Sequence, residues 1–148
     1  MSSTYLDILQ GVKAVIGGLG LTGILADQIR VRKRPVYLPE QDTLPLIVVS
    51  PTQEGIELLT FGTQGVFLFG TLVTIVQESA LRWEDLDFLL EARQKIRRAL
   101  HKTSMTGVSA VMDCDYDPSP AYDAAALNAG FDVSTMGFTF KASETRSE

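Results

Sequence analysis

The sequence predicts an α+β fold: an antiparallel or mixed β-sheet with two main α-helices packed on one face and a long β-hairpin arm. Three observations point there. Two segments space their apolar residues at helical intervals. Several runs rich in β-branched and aromatic residues, bounded by Pro and Gly, read as strands. Successive strands follow one another without intervening helices, which favours antiparallel or mixed pairing.

Taken in order, Tyr5, Ile8, Leu9, Val12, Val15, Ile16 and Leu19 follow the i, i+3, i+4, i+7 rule and predict a helix over residues 4–16. Ser3 or Thr4 suits the N-cap, Asp7 suits the first turn, and Gly17 and Gly18 end the helix. Residues 21–27 add a short helical turn. Residues 29–34 read as a short strand with alternating Ile29, Val31 and Lys33, stopped by Pro35. Pro39 and Pro45 bracket a polar loop.

Strands are expected over residues 44–51 and 66–76. The segment between them holds Gly55, Gly62 and Gly65, but also Ile56, Leu58, Leu59 and Phe61. It is too apolar for a solvated loop and too long for a tight turn. It reads as an arm that places its apolar residues on another protein surface.

A second helix follows over residues 82–102, with Ser79 as candidate cap. Leu86, Leu89, Leu90, Ile96 and Leu100 form its buried stripe, supported by Trp83 and Phe88. Glu84, Asp85, Asp87 and Glu91 precede Arg93, Lys95, Arg97, Arg98 and Lys102, an order that complements the helix dipole. Gly107 marks the exit. Residues 108–116 read as a weak strand, 117–130 as a loop with a helical turn over 124–127, and 131–141 as a final strand. With no internal repeat or linker, residues 1–142 form one domain, and the polar residues 143–148 form a disordered tail.

Composition narrows the function classes. The chain has 148 residues, enough for one domain with a single core. No apolar run reaches the roughly 20 residues that span a bilayer, and Met1-Ser2-Ser3-Thr4 is not a basic leader. The single cysteine, Cys114, excludes an internal disulfide framework and fits a reducing compartment. A net charge of −5 argues against gripping nucleic acid over the whole surface; DNA would pass without sticking.

Several motifs admit two readings. Gly18-Leu19-Gly20-Leu21-Thr22-Gly23 matches G-x-G-x-x-G. The residues before it carry helical rather than strand periodicity and no βαβ series follows, so helix end and turn are favoured over a dinucleotide site. Arg30, Arg32, Lys33 and Arg34 form the densest basic run, either a contact for DNA or an acidic partner, or a solvated edge. The basic end of the second helix needs no more than dipole complementarity. Asp113, Asp115, Asp117 and Asp123 resemble a carboxylate cluster, but Pro118 and Pro120 stand where a calcium loop needs its Gly turn. Cys114 and His101, the only Cys and the only His, could pair near Asp115, yet no orienting group or oxyanion site is marked. A buried or half-buried thiol and a helix-end imidazole are the favoured reading. No catalytic residues, metal ligands or cofactors are assigned.

The order of elements resembles that of the tail-terminator and head–tail completion (neck) proteins of tailed bacteriophages. The features that carry it are the helix ending in Gly17-Gly18, the strand Leu44-Pro45-Leu46-Ile47-Val48-Val49-Ser50-Pro51, and the arm Glu54-Gly55-Ile56-Glu57-Leu58-Leu59-Thr60-Phe61-Gly62-Thr63. The strand Leu72-Val73-Thr74-Ile75-Val76, the second helix and the closing strand Gly137-Phe138-Thr139-Phe140 complete it. The resemblance covers most of the chain, in a family without a diagnostic catalytic motif. It implies a non-enzymatic virion protein, made in the host cytoplasm, whose copies form a homo-oligomeric ring, a hexamer. The ring caps the tail tube, joins it to the head connector, and lets DNA through its lumen without sequence-specific binding. The implied partners are thus further copies, the tail tube protein and the head connector. Within this reading Leu59 and Phe61 of the arm are the expected interface anchors, with Arg30, Arg32, Lys33 and Arg34 as a second contact. Related adaptor and tail-tube proteins share the layout. The rival readings are a small cytosolic enzyme or ligand-binding domain with a pocket at Cys114, Asp115 and His101, and an assembly adaptor or chaperone absent from the finished particle.

Overall fold

Ser3 starts the first helix by accepting a hydrogen bond from the Leu6 N–H at 3.0 Å, which satisfies one of the orphan donors of the first turn. The computed structural model describes residues 3–21, 23–59, 64–78, 83–101, 111–117 and 131–145. Helix α1 spans Thr4–Gly17 and buries Ile8, Leu9, Val12 and Ile16, the stripe its sequence spacing requires. The helix ends at the Gly17-Gly18 pair, as its sequence indicates. Gly18 stays right-handed and donates to the carbonyls of Ala14 and Val15. The positive φ angles fall later, at Gly20 (66°) and Gly23 (78°), where the chain turns away from the helix.

A single 3-10 turn, Ala26–Gln28, leads into strand β1, Ile29–Val31. The buried Gln28 ties this turn down: its Oε1 accepts from Leu25 N at 2.7 Å and its Nε2 donates to Pro45 O at 2.9 Å. Strand β1 is shorter than its sequence suggests. Arg32 N still donates to Val49 O at 3.0 Å, but its side chain swings into the next loop and the strand ends before Lys33.

Strands β2 (Leu46–Leu59) and β3 (Gln64–Glu78) are longer than expected. Most of the segment read as an arm between strands is itself strand, in register from Leu46↔Val76 to Leu59↔Gly65. Two irregularities, between Pro51 and Glu54 and between Ile56 and Leu58, absorb the residues that break strict alternation. The hairpin is not a free two-stranded arm over its described length, because β5 (Phe131–Thr145) pairs with β3 from Glu78↔Phe131 out to Gln64↔Thr145. The last strand therefore continues through residues 143–145, which the sequence assigned to a disordered tail. Helix α2 is described over Trp83–Leu100 and β4 over Val111–Asp117. The proposed cap Ser79, the helix start at Arg82, the exit at Gly107 and the helical turn over 124–127 lie outside the described residues.

The result is an α+β fold with a five-stranded mixed sheet ordered β1-β2-β3-β5-β4. Among the described residues β1 and β2 run parallel, and the other pairs are antiparallel. Both helices lie on one face, as expected. Ile8, Val12 and Ile16 of α1 and Leu89, Ala92, Ile96 and Leu100 of α2 share one core with Ile47, Val49, Val73, Ile75, Met136, Phe138 and Phe140. Each of the larger of these buried side chains, Ala92 excepted, contributes about 1.5–3 kcal/mol. On the opposite face Leu46, Val48 and Val76 form a second cluster, covered by Tyr37 and Leu44 from the loop after β1.

Tyr5 fastens α1 to the first irregularity of β2. Its ring packs against Phe69 in a tilted arrangement, with centroids 5.0 Å apart. Its hydroxyl donates to Gly70 O and accepts from Thr52 N at 3.0 Å. Burial pushes the phenol pKa up, against the lowering effect of the Thr52 bonds. Gly70 is required where the bulge crosses it: a Cβ there would overlap Thr52 Oγ1 and sit 3.2 Å from Gln53 O.

Tyr5→Phe should lower unfolding free energy by about 1–2 kcal/mol, because Thr52 N loses its acceptor. Gly70→Val should cost about 1–3 kcal/mol by overpacking the crossing. Urea denaturation checks both; midpoints equal to that of the unsubstituted protein would contradict this account of the bulge.

Candidate assembly surface

The basic run divides into structural and surface residues. Arg32 places Nη1 2.6 Å from Asp42 Oδ2 and Nη2 2.5 Å from Asp42 Oδ1, a bidentate pair. Nη1 also donates to Val36 O at 2.8 Å. The Asp42 side chain is fully buried and accepts a further bond from Leu38 N at 2.8 Å. Arg30 Nε stands 3.8 Å from the same carboxylate. The Arg32 hydrogen bonds hold the Asp42 carboxyl below the usual carboxylate range, although burial opposes them; the Leu38 N–H and the charges of Arg32 and Arg30 add to the lowering. The same pair raises the Arg32 pKa.

This clamp closes the loop that covers the second apolar cluster. Arg32 is thereby a structural residue, with its guanidinium engaged inside the chain. Lys33 and Arg34 remain exposed beside it, and the Arg30 side chain is 41% exposed. Exposed Leu25, Val36 and Leu38 flank the same edge. The run is thus a basic sheet edge with apolar neighbours, built around one internal ion pair.

Of the expected arm anchors, Phe61 lies outside the described residues, and Leu59 ends β2 with only its backbone described. Ile56, on the described part of the same hairpin, is 64% exposed and pairs in register with Phe67. The described part of the hairpin therefore carries one exposed apolar residue, Ile56.

The second candidate site is not brought together as a nucleophile pair. Cys114 is fully buried in the main core, on the helix side of β4. His101 is exposed just after α2, and its Nδ1 accepts from Tyr116 N at 3.0 Å. Asp115 faces away from Cys114 by strand alternation. Asp113, Asp115 and Asp117 form a row on the sheet face opposite the helices, while Asp123 lies outside the described residues. Asp113 Oδ1 accepts from Cys114 N at 2.9 Å and Asp117 Oδ2 from Thr139 Oγ1 at 3.0 Å. Among the described residues no group of three or more His, Cys, Asp or Glu is placed to hold a metal. The G-x-G-x-x-G match follows the carbonyl end of α1, the wrong end of a helix for a phosphate.

Three residues matter more than their sequence context announces. Asp42 anchors the edge loop, Tyr5 anchors the bulge, and Arg93 joins α2 to the sheet. Arg93 Nη1 donates to Ser134 Oγ at 2.5 Å and to Thr135 O at 2.8 Å, and Nη2 to Tyr116 OH at 3.1 Å. Each acts on partners distant in sequence, so no local spacing reveals it. The one available hint for Asp42 was an acidic residue in a short polar loop directly after a basic run.

Arg32→Met should destabilise the fold by on the order of 3 kcal/mol, since it leaves a buried carboxylate without its main partner. The Asp42 carboxyl titrates lower in the folded chain than in the unfolded one. Its stabilising effect is therefore complete above the unfolded carboxylate range, near pH 3.9, and is lost as pH falls through the lower folded value. Acid unfolding followed by circular dichroism should show a shallower loss for Asp42→Asn than for the unsubstituted chain below about pH 4. Identical profiles would contradict the clamp. Neither a scan against protein-family models nor a search of curated proteins finds a match to this chain.

Proposed function

We propose that this chain is a structural subunit of the neck of a tailed bacteriophage, a tail terminator whose copies form a ring. The ring would close the end of the tail tube, join it to the head connector, and pass DNA through its lumen. The observation that carries the reading is the β2–β3 hairpin, paired from Leu46↔Val76 to Leu59↔Gly65 and bearing an Ile56 that is 64% exposed. An apolar side chain exposed on a strand of the sheet suits a contact with a neighbour.

The mechanism is one of shape. The core fixes the sheet, and the β2–β3 hairpin within it offers exposed Ile56 for burial between subunits or against the tube. A ring follows when one patch meets a different patch on the next copy and the rotation closes. An acidic chain would let DNA move through without holding it.

Leu59→Ser with Phe61→Ser should leave the monomer folded but reduce ring formation in an assembly assay with tail tubes. Rings forming at unchanged yield would remove the hairpin from the contact. Cys114→Ala tests the pocket reading: a retained fold with loss of small-molecule binding would favour a ligand-binding domain over the ring subunit.

A further inference from the structure

We propose that the basic β1 edge of one copy docks beside the acidic β4 edge of the next, so that the ring is closed by unlike ends of the same sheet. This names the partner surface within the ring reading above and rests on it.

The two edges lie at opposite ends of the strand order β1-β2-β3-β5-β4. Four inter-strand steps separate them, about 19 Å at the usual strand spacing. At the β1 end stand exposed Lys33 and Arg34 and the half-exposed Arg30. At the β4 end Asp113 and Asp115 are half-exposed and Asp117 is exposed. Arg30, the one of these cations within β1, shares a face with the aspartates. Arg30 pairs in register with Val48, which belongs to the cluster opposite the helices. Asp113, Asp115 and Asp117 alternate with Cys114 and Tyr116, which pack toward the helices, and so point to that same opposite face.

This arrangement selects the symmetry of the contact. Two β1 edges brought together by a two-fold axis would set Lys33 and Arg34 against their own copies. Two β4 edges would set the aspartates against each other. Only the unlike pairing is attractive, and an unlike pairing is the head-to-tail contact that generates rings. Leu25, Val36 and Leu38 flank the basic edge, which gives the contact apolar area besides charge. Exposed charges at this junction make it sensitive to salt.

The test reverses one edge at a time. Lys33→Glu with Arg34→Glu makes both ends acidic; Asp115→Lys with Asp117→Lys makes both ends basic. Asp117→Lys alone, at an exposed position, serves if the double change unfolds the chain. Sedimentation velocity over a range of concentrations reads the size, and circular dichroism confirms the fold. The unsubstituted chain should form species larger than a monomer, each reversed protein should sediment as a monomer, and an equimolar mixture of the two should regain the large species by alternating. Two reversed proteins that assemble like the unsubstituted chain would overturn the edge pairing while leaving the ring reading in place. Loss of assembly without rescue on mixing would also overturn the pairing. An unsubstituted chain that remains a monomer throughout, with and without tail tubes, would overturn the ring reading itself.

Discussion

The structure depends on β3 being paired on both sides. All fifteen of its residues, Gln64–Glu78, match β5 in unbroken register, and the stretch from Gly65 to Val76 also matches β2, with two interruptions. With its ladder occupied on both edges, β3 fixes which residues face the helices. Val73 and Ile75 fall on one side with Ile47, Val49, Met136 and Phe138, while Val76 falls on the other with Leu46 and Val48. A one-residue slip would turn Val73 and Ile75 out of the core, so the hydrophobic pattern and the register enforce each other.

From that strand the two ends of the molecule differ in construction. Toward β1 the chain uses a polar device, the Arg32–Asp42 pair, to close the loop whose Tyr37 and Leu44 cover the second cluster. Toward β4 the chain uses Arg93 to bridge α2 with Ser134, Thr135 and Tyr116. Both are buried or half-buried arginines that bond several partners at once, a role lysine would fill poorly. The exposed charges beyond them have opposite signs at the two ends: Lys33 and Arg34 beside β1, Asp117 on β4.

Much of the fold was legible in the sequence because its main signals are periodic. The stripe of Ile8, Val12 and Ile16 and that of Leu89, Ile96 and Leu100 gave both helices and their common face. Strand lengths were less legible. Glu54, Gly55 and Glu57 break the apolar run of β2, and the pairing that keeps them in the sheet comes from β3, far from any local rule. The reach of β5 was hard to see for the same reason: Ser143, Glu144 and Thr145 look like solvated chain until they are set against Val66, Gly65 and Gln64. Of the candidate surface, the basic run was visible but its division was not. Nothing near Arg32 distinguishes it from Lys33 or Arg34 except a partner ten positions on. The pocket at Cys114 and His101 was suggested by residue rarity alone, and strand alternation turns the thiol into the core.

The central claim is that this protein acts by docking copies around an opening. Averaged electron micrographs of the purified protein, alone and mixed with tail tubes, test it most directly. The account predicts closed rings with an open centre, seated at tube ends. Isolated single copies and bare tube ends under every condition would contradict it.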